Sequence, residues 1–259
     1  MSVTPRLEGQ SVTVMRSRRN IVDDASIALT PGELTILAGP NGAGKTTLAR
    51  ALAGLIDCKG AVMFDGKPLA AMSLRERARA LAYLPQGHEF HWPMRVDAIV
   101  ALGREPHSDP FSRRTDADRA AVTRAMAAAS VEPFADRLIT TLSGGERARV
   151  AIARALATES SVLIADEPTA ALDERHRLIV MELLQTIARQ GAAVIAIIHD
   201  LTLAMRYADK VVLMNEGKVA ATGPPQQALT PERIASVFGI SVNRIETPDG
   251  SLLIPSRAL

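Results

Sequence analysis

The run Leu34-Thr35-Ile36-Leu37-Ala38 passes without a spacer into Gly39-Pro40-Asn41-Gly42-Ala43-Gly44-Lys45-Thr46, and the residues from Lys45 to Leu55 then follow helical spacing. An apolar run without alternation reads as a strand covered on both faces. Strand, glycine loop and helix in that order point to an open α/β sheet with the loop at the strand's carboxyl end. The loop fits G-x-x-x-x-G-K-[ST] and lies in the context that pattern needs. Its glycines let backbone N–H groups converge on phosphate oxygens, and the helix N-terminus adds a positive field. Lys45 is placed to neutralise β/γ oxygens and Thr46 to ligate Mg²⁺, with Thr47 as the next hydroxyl beside the nucleotide.

Ahead of the loop, Ser11 to Met15 and Ser26 to Leu29 are β-like; after it, Ala61 to Phe64 and Lys67 to Leu69 flank the hairpin signal Asp65-Gly66. Ser73 with Glu76 forms a capping box. From Gly87 to about Ala157 the spacing turns helical, as in Ala117 to Ser130 and Glu146 to Leu156, which predicts an inserted helical subdomain. Strand Ser161 to Ala165, helix Glu174 to Arg189, strand Ala192 to Ile198 and helix Leu201 to Tyr207 then alternate, as in a parallel sheet with helices on both faces. Asp173 and Asp200 stand at helix N-cap positions. A hairpin is expected from Val211 to Met214 and Lys218 to Ala221, then a turn at Pro224-Pro225 and a short helix from Pro231. A last hairpin is expected over Val242 to Ile254 around Asp249-Gly250.

Val162-Leu163-Ile164-Ala165-Asp166-Glu167 delivers two carboxylates at a strand's carboxyl end, where ligands of open α/β sheets lie. Asp166 is placed to hold Mg²⁺ through the metal's water shell, and Glu167 to orient and deprotonate an attacking water. Alone, such a pair is often just a strand end; the glycine loop gives it weight. His199, between an apolar strand and Asp200, either donates to a γ-phosphate or is structural. Gln86, after Ala82-Tyr83-Leu84-Pro85, has a neutral amide able to reach Mg²⁺ and the lytic water, although by itself it is uninformative. Leu142-Ser143-Gly144-Gly145-Glu146, followed by Arg149 and a helical run, makes a second anion-binding surface from Ser143 and the Gly144-Gly145 backbone. If the two surfaces cannot meet within one copy, the natural solution is a head-to-tail dimer sandwiching two ATP molecules.

With these segments in this order and spacing, the chain resembles the nucleotide-binding subunit of ABC transporters over essentially its whole length. The resemblance implies an α/β P-loop NTPase core with a mostly parallel sheet, an N-terminal antiparallel β subdomain and an inserted helical subdomain. The expected division is 1–86 with 158–225 as the core and β subdomain, 87–157 as the helical signature subdomain, and 226–259 as a C-terminal extension. By the same resemblance Gln86 is the Q-loop, Glu167 the catalytic base, His199 the switch histidine and Asp173 the D-loop aspartate that lies between the two copies. The signature Leu142 to Glu146 of one protomer would complete the site of the other. ATP and Mg²⁺ are the implied cofactors. Implied partners are a second copy, transmembrane permease subunits and, indirectly, a periplasmic or surface substrate-binding protein. Tyr83-Leu84-Pro85-Gln86 and Ala101-Leu102-Gly103-Arg104-Glu105-Pro106-His107 resemble the ATPases of importers for iron–siderophore, haem and cobalamin complexes, in words that face the membrane partner. The alternatives are the motor of an exporter or lipid transporter, or a soluble ABC ATPase acting on DNA or ribosomes. The soluble class usually carries a long coiled-coil insertion or two fused ATPase domains, and neither is present.

Net charge is +2 with both signs interspersed, and aromatics reach only 3%, so the basic face with interleaved aromatics of a nucleic-acid reader is missing. The densest basic run, Arg16-Ser17-Arg18-Arg19, is a solvated turn or, through Arg16 or Arg18, a stacking partner for adenine. The family usually places an aromatic upstream of the phosphate loop, and no Phe, Trp or Tyr precedes Phe64. Glu146 also departs from the family, standing where Gln is common, a change that leaves the Ser-Gly-Gly anion site intact. Cys58 is the only cysteine, which points to a reducing compartment. With no run near the roughly 18 apolar residues of a span and no signal pattern, the expected location is the cytoplasmic face of the inner membrane, reached through a partner. His88 and His91 are either a metal- or haem-contacting pair or part of a loop packed on that partner.

Overall fold

A computed structural model describes residues 4–87, 92–108, 114–247 and 250–259, so His88, His91 and Asp249 lie outside the described residues. In chain order the elements are β1 Leu7–Arg16, β2 Arg19–Leu29, β3 Leu34–Ala38, α1 Lys45–Leu52, β4 Lys59–Phe64, β5 Lys67–Pro68, α2 Leu74–Ala80, β6 Leu81–Leu84, α3 Val96–Ala101, α4 Asp116–Ala128, α5 Gly144–Ala157 and β7 Val162–Asp166. There follow α6 Glu174–Arg189, β8 Ala193–Ile197, α7 Leu201–Tyr207, β9 Lys210–Asn215, β10 Lys218–Gly223, α8 Pro225–Ala228, α9 Pro231–Phe238, β11 Ile240–Thr247 and β12 Gly250–Ala258. The chain divides into two compact units, Met1–Ala71 with Leu184–Leu259, and Met72–Leu183.

The first unit holds an antiparallel sheet in the order β2-β1-β4-β5. Ser17 and Arg18 both take positive φ, 49 and 65°, at the β1–β2 turn, a conformation that matches the twist of a tight hairpin. β1 and β2 run longer than the expected Ser11 to Met15 and Ser26 to Leu29. Ser11 and Asp24 sit in the left-handed region (φ 49 and 52°) and the register shifts along the pair, so the two-residue alternation on which a sequence reading depends is broken. In the same unit β3 pairs in parallel with β8 and β9, and β10 pairs antiparallel with β9. Every residue of β3 and β8 is buried, as the unbroken apolar runs require. α1 ends at Leu52, short of the expected Leu55, because Gly54 turns the chain at φ 66°. Pro225, expected in a turn, starts α8, where a missing N–H costs nothing. β11 and β12 form the last hairpin, longer at both ends than 242–254.

In the second unit β6 and β7 pair in parallel. β6, only Leu81-Ala82-Tyr83-Leu84, is too short and too evenly apolar for periodicity to announce it. Ser73, Thr115 and Ser143 cap α2, α4 and α5, each in a reciprocal capping box with the residue three positions on. These caps start α4 and α5 at Asp116 and Gly144 rather than at the expected Ala117 and Glu146. Buried Arg104 donates to Asp118 Oδ1 at 2.9 Å and to both Ala157 O and Glu159 Oε2 at 2.8 Å, tying the ends of α4 and α5 together. The Thr115 hydroxyl and N–H, with Arg104 behind them, hold the Asp118 carboxyl down at about 2. The stretch Ala101 to His107 is therefore partly a packing element: Arg104 points inward, and His107 Nε2 lies 2.8 Å from Thr158 O. Among the described residues no helix is long and apolar enough to cross a membrane.

Candidate functional site

In the first unit, β3 hands the chain to the phosphate loop, whose shape is dictated by close backbone neighbours. A Cβ on Gly39 would lie 2.3 Å from Met214 O, and one on Gly44 would lie 2.4 Å from Ile21 O, so neither position admits a side chain. Gly217 N–H donates to Ala43 O at 3.2 Å and Asp23 N–H to Gly217 O at 2.8 Å, which ties the loop to the β9–β10 turn and to β2. Gly44 is the N-cap of α1 and supplies no side-chain cap, and a helix start of this kind favours an anion. Lys45 is buried, and its Nζ donates to Gly39 O and Pro40 O, each at 2.8 Å, across the curl of the loop. Thr46 and Thr47 sit half-buried in the first turn of α1, while Asn41 and Gly42 are exposed. The register Leu37↔Ile197 carries the exposed His199 level with Gly39, and Asp200 caps α7 just beyond it. Arg16 is exposed at the end of β1, opposite Arg19.

In the second unit, β7 ends at Asp166, which is fully buried and accepts from the Tyr83 hydroxyl of β6 at 2.8 Å. Glu167 follows with φ 51°, a left-handed backbone that costs a glutamate on the order of 1 kcal/mol and is held by its surroundings. Its Oε2 accepts from Gln86 Nε2 at 2.6 Å. The parallel register Leu84↔Ala165 is what brings Gln86 and Glu167 together. Both line a groove of about 340 Å³ with Gly144, Arg147 and Leu172.

The Ser143 turn is different in kind. Ser143 and Gly144 are exposed, while Leu142 and Gly145 are buried and anchor the turn. Ser143 Oγ accepts from Glu146 N–H at 3.3 Å, and Glu146 Oε2 accepts from Ser143 N–H at 2.7 Å. That second bond, chiefly, lowers the Glu146 carboxyl. A glutamine would close the same box. Asp173, exposed, accepts from His176 N–H at 2.9 Å and faces its Nδ1 at 2.8 Å; these contacts lower its carboxyl.

Three contacts here escaped the sequence: Tyr83 on Asp166, Gly217 on Ala43 and His176 on Asp173. Tyr83 and Gly217 act through strands remote in sequence, but His176 stands three residues after Asp173 on a helix, a spacing that signals contact. In the second unit, Gln86 and Asp166 carry oxygen atoms of the hard type Mg²⁺ takes; Thr46, in the first unit, carries another. Among the described residues no group of three His, Cys, Asp or Glu is placed to hold a metal. Mg²⁺ is commonly bound through one or two carboxylates and substrate phosphates, and the Asp166 carboxylate is of that kind.

The family model for ABC transporters matches residues 22–170. Hemin import ATP-binding protein HmuV of Rhodococcus jostii (strain RHA1) is 42% identical over 259 residues, 99% of this chain and 87% of that protein. Cobalamin import ATP-binding protein BtuD of Halobacterium salinarum (strain ATCC 29341 / DSM 671 / R1) is 43% identical over 224 residues, 86% of this chain and 56% of that protein. Among solved structures, a chain described as part of a metal-chelate type ABC transporter in an inward-facing conformation matches with a TM-score of 0.85 over 98% of both chains, at 24% identity. That match speaks for the fold alone. The cbiO1 protein of Clostridium perfringens, part of the ABC transporter complex cbiONQ, matches with a TM-score of 0.78 and 27% identity over 90% of this chain and 94% of its own.

Proposed function

From the premise that this chain belongs to the ABC transporter family, as one of its ATP-binding subunits, we propose that it hydrolyses ATP to drive import of a metal chelate through separate permease subunits. The chelate class is haem, a cobalamin or an iron–siderophore; similarity to the hemin and cobalamin import proteins supports it. The observation that carries the hydrolytic part is the 2.6 Å bond from the Gln86 amide to the Glu167 carboxylate. It pairs a group able to sense the nucleotide with the carboxylate that would take a proton from water.

Lys45 and the N–H groups at the start of α1 neutralise the β/γ oxygens. Thr46, Gln86 and Asp166 would hold Mg²⁺, which when bound adds positive charge at those oxygens. Glu167 orients the attacking water and accepts its proton, and His199 donates to the γ-phosphate. Arg16 stacks on the base by its guanidinium face. A second copy, arranged head to tail, presents Ser143 and Gly144 to the same γ-phosphate and its Asp173 to the neighbouring loop. ATP therefore favours the closed pair, because that contact exists only there. The helical stretch 87–157 carries closure to the permease at the cytoplasmic face of the membrane, and a substrate-binding protein feeds the permease from the far side.

Glu167→Gln is expected to keep ATP affinity, to accumulate an ATP-bound dimer, and to lower turnover by about 10²–10⁴-fold. Phosphate release and size-exclusion chromatography measure both effects, and turnover at the wild-type rate would remove Glu167 as the base. Uptake of haem, cobalamin and a ferric siderophore by the assembled transporter in proteoliposomes then sorts the chelate. ATP-driven efflux without uptake overturns the import reading.

A further inference from the structure

We propose that His176 is a positioning residue that locks the Asp173 carboxylate and the Ser143–Gly145 turn into one rigid body, so that both surfaces meet a second copy in fixed alignment. The inference rests on the head-to-tail reading above and adds to it a residue, three positions into α6, that touches neither nucleotide nor water there.

The geometry is specific. A Cβ built on Gly145 would lie 2.2 Å from His176 Cδ2, 2.4 Å from Cγ and 2.8 Å from Nε2, so the imidazole fills the space a side chain would take. A Cβ on Gly144 would meet nothing within 4 Å. The adjacent glycines therefore have separate tasks: Gly144 leaves the anion surface open, and Gly145 makes room for the ring. At its other edge the ring places Nδ1 2.8 Å from Asp173 Oδ1, the same oxygen that accepts the His176 N–H at 2.9 Å. The His176 side chain is 20% exposed, whereas that of Asp173 is 66% exposed. An exposed carboxylate held by two bonds from one residue has lost its rotamer freedom before any partner arrives. Preorganisation of that kind lowers the ordering cost of association.

The test uses the full chain carrying Glu167→Gln, with ATP-dependent dimerisation read by analytical ultracentrifugation and monomer affinity read with a fluorescent ATP analogue. Adding His176→Ala is expected to weaken the ATP-bound dimer about tenfold or more, the scale of one or two preorganised side chains, while monomer affinity stays within about twofold. His176→Asn keeps an N–H near the Nδ1 position without the ring, and His176→Phe keeps the ring without the N–H; each is expected to lose less than His176→Ala. Dimers as tight as the parent in the Ala variant, or in both the Asn and Phe variants, overturn the proposal. So does an equal fall in monomer affinity, which marks general damage. A Glu167→Gln parent that stays monomeric with ATP removes the head-to-tail reading itself, and with it this inference.

Discussion

The turn at Gly39–Lys45 and the turn at Ser143–Gly145 both open a helix, yet their donors are dealt with in different ways. The first is pressed by Met214 O and Ile21 O, threaded by the Lys45 amine, and has no side-chain cap on α1. The second is capped by its own Ser143 and Glu146 and leaves Ser143 and Gly144 exposed. A loop whose backbone donors lack an internal side-chain acceptor gains most from a bound anion. A loop already closed by its own residues is stable without one and suits a surface that comes down on a ligand held elsewhere. On the proposed function, the two share a chemistry and differ in which partner they wait for.

The largest effect that tests this contrast is expected at Gly44. Gly44→Ala forces a Cβ against a main-chain oxygen at φ 94° and should cost about 2–4 kcal/mol locally, with at least about a hundredfold loss of nucleotide affinity. Gly144→Ala, with open space around it, should leave the melting temperature nearly unchanged; equal melting losses in both variants would break the contrast. Next comes Lys45→Ala, which should weaken binding of a fluorescent ATP analogue by about 30-fold, the scale of one charged hydrogen-bonding group, without changing secondary structure by circular dichroism. Smallest is the cap of the second turn. Ser143→Ala should cost about 1 kcal/mol in urea unfolding, and Glu146→Gln close to nothing, since glutamine closes the same box.

What could be read from residues alone followed from how much chemistry each position must satisfy. The phosphate loop, the carboxylates after β7 and the Ser143 turn each need particular residue types at short, fixed spacing, so they announce themselves. That the side chains of Gln86 and Glu167 meet does not follow from spacing; it follows from the parallel register of β6 and β7, and β6 is too short to carry a pattern. β1 and β2 were legible only in part because residues such as Ser11 and Asp24 interrupt their alternation. The words around Arg104 resembled a docking surface, but the guanidinium points into the packing between α4 and α5, which no linear pattern reveals. The ring of His176 against Gly145 was hidden for the same reason: the two belong to different helices.

The left-handed backbone at Glu167 has an evolutionary consequence. Glycine or asparagine tolerates that conformation better, so a lineage selected for stability alone would drift to one of them, gaining up to about 1 kcal/mol. With Glu167 as the proposed base, the glutamate there would be a stability–activity trade-off in favour of turnover. The same site predicts how such an ATPase decays once transport is no longer required: the first tolerated changes at position 167 should be those that relax the backbone, leaving a better-folded protein that binds ATP and no longer spends it.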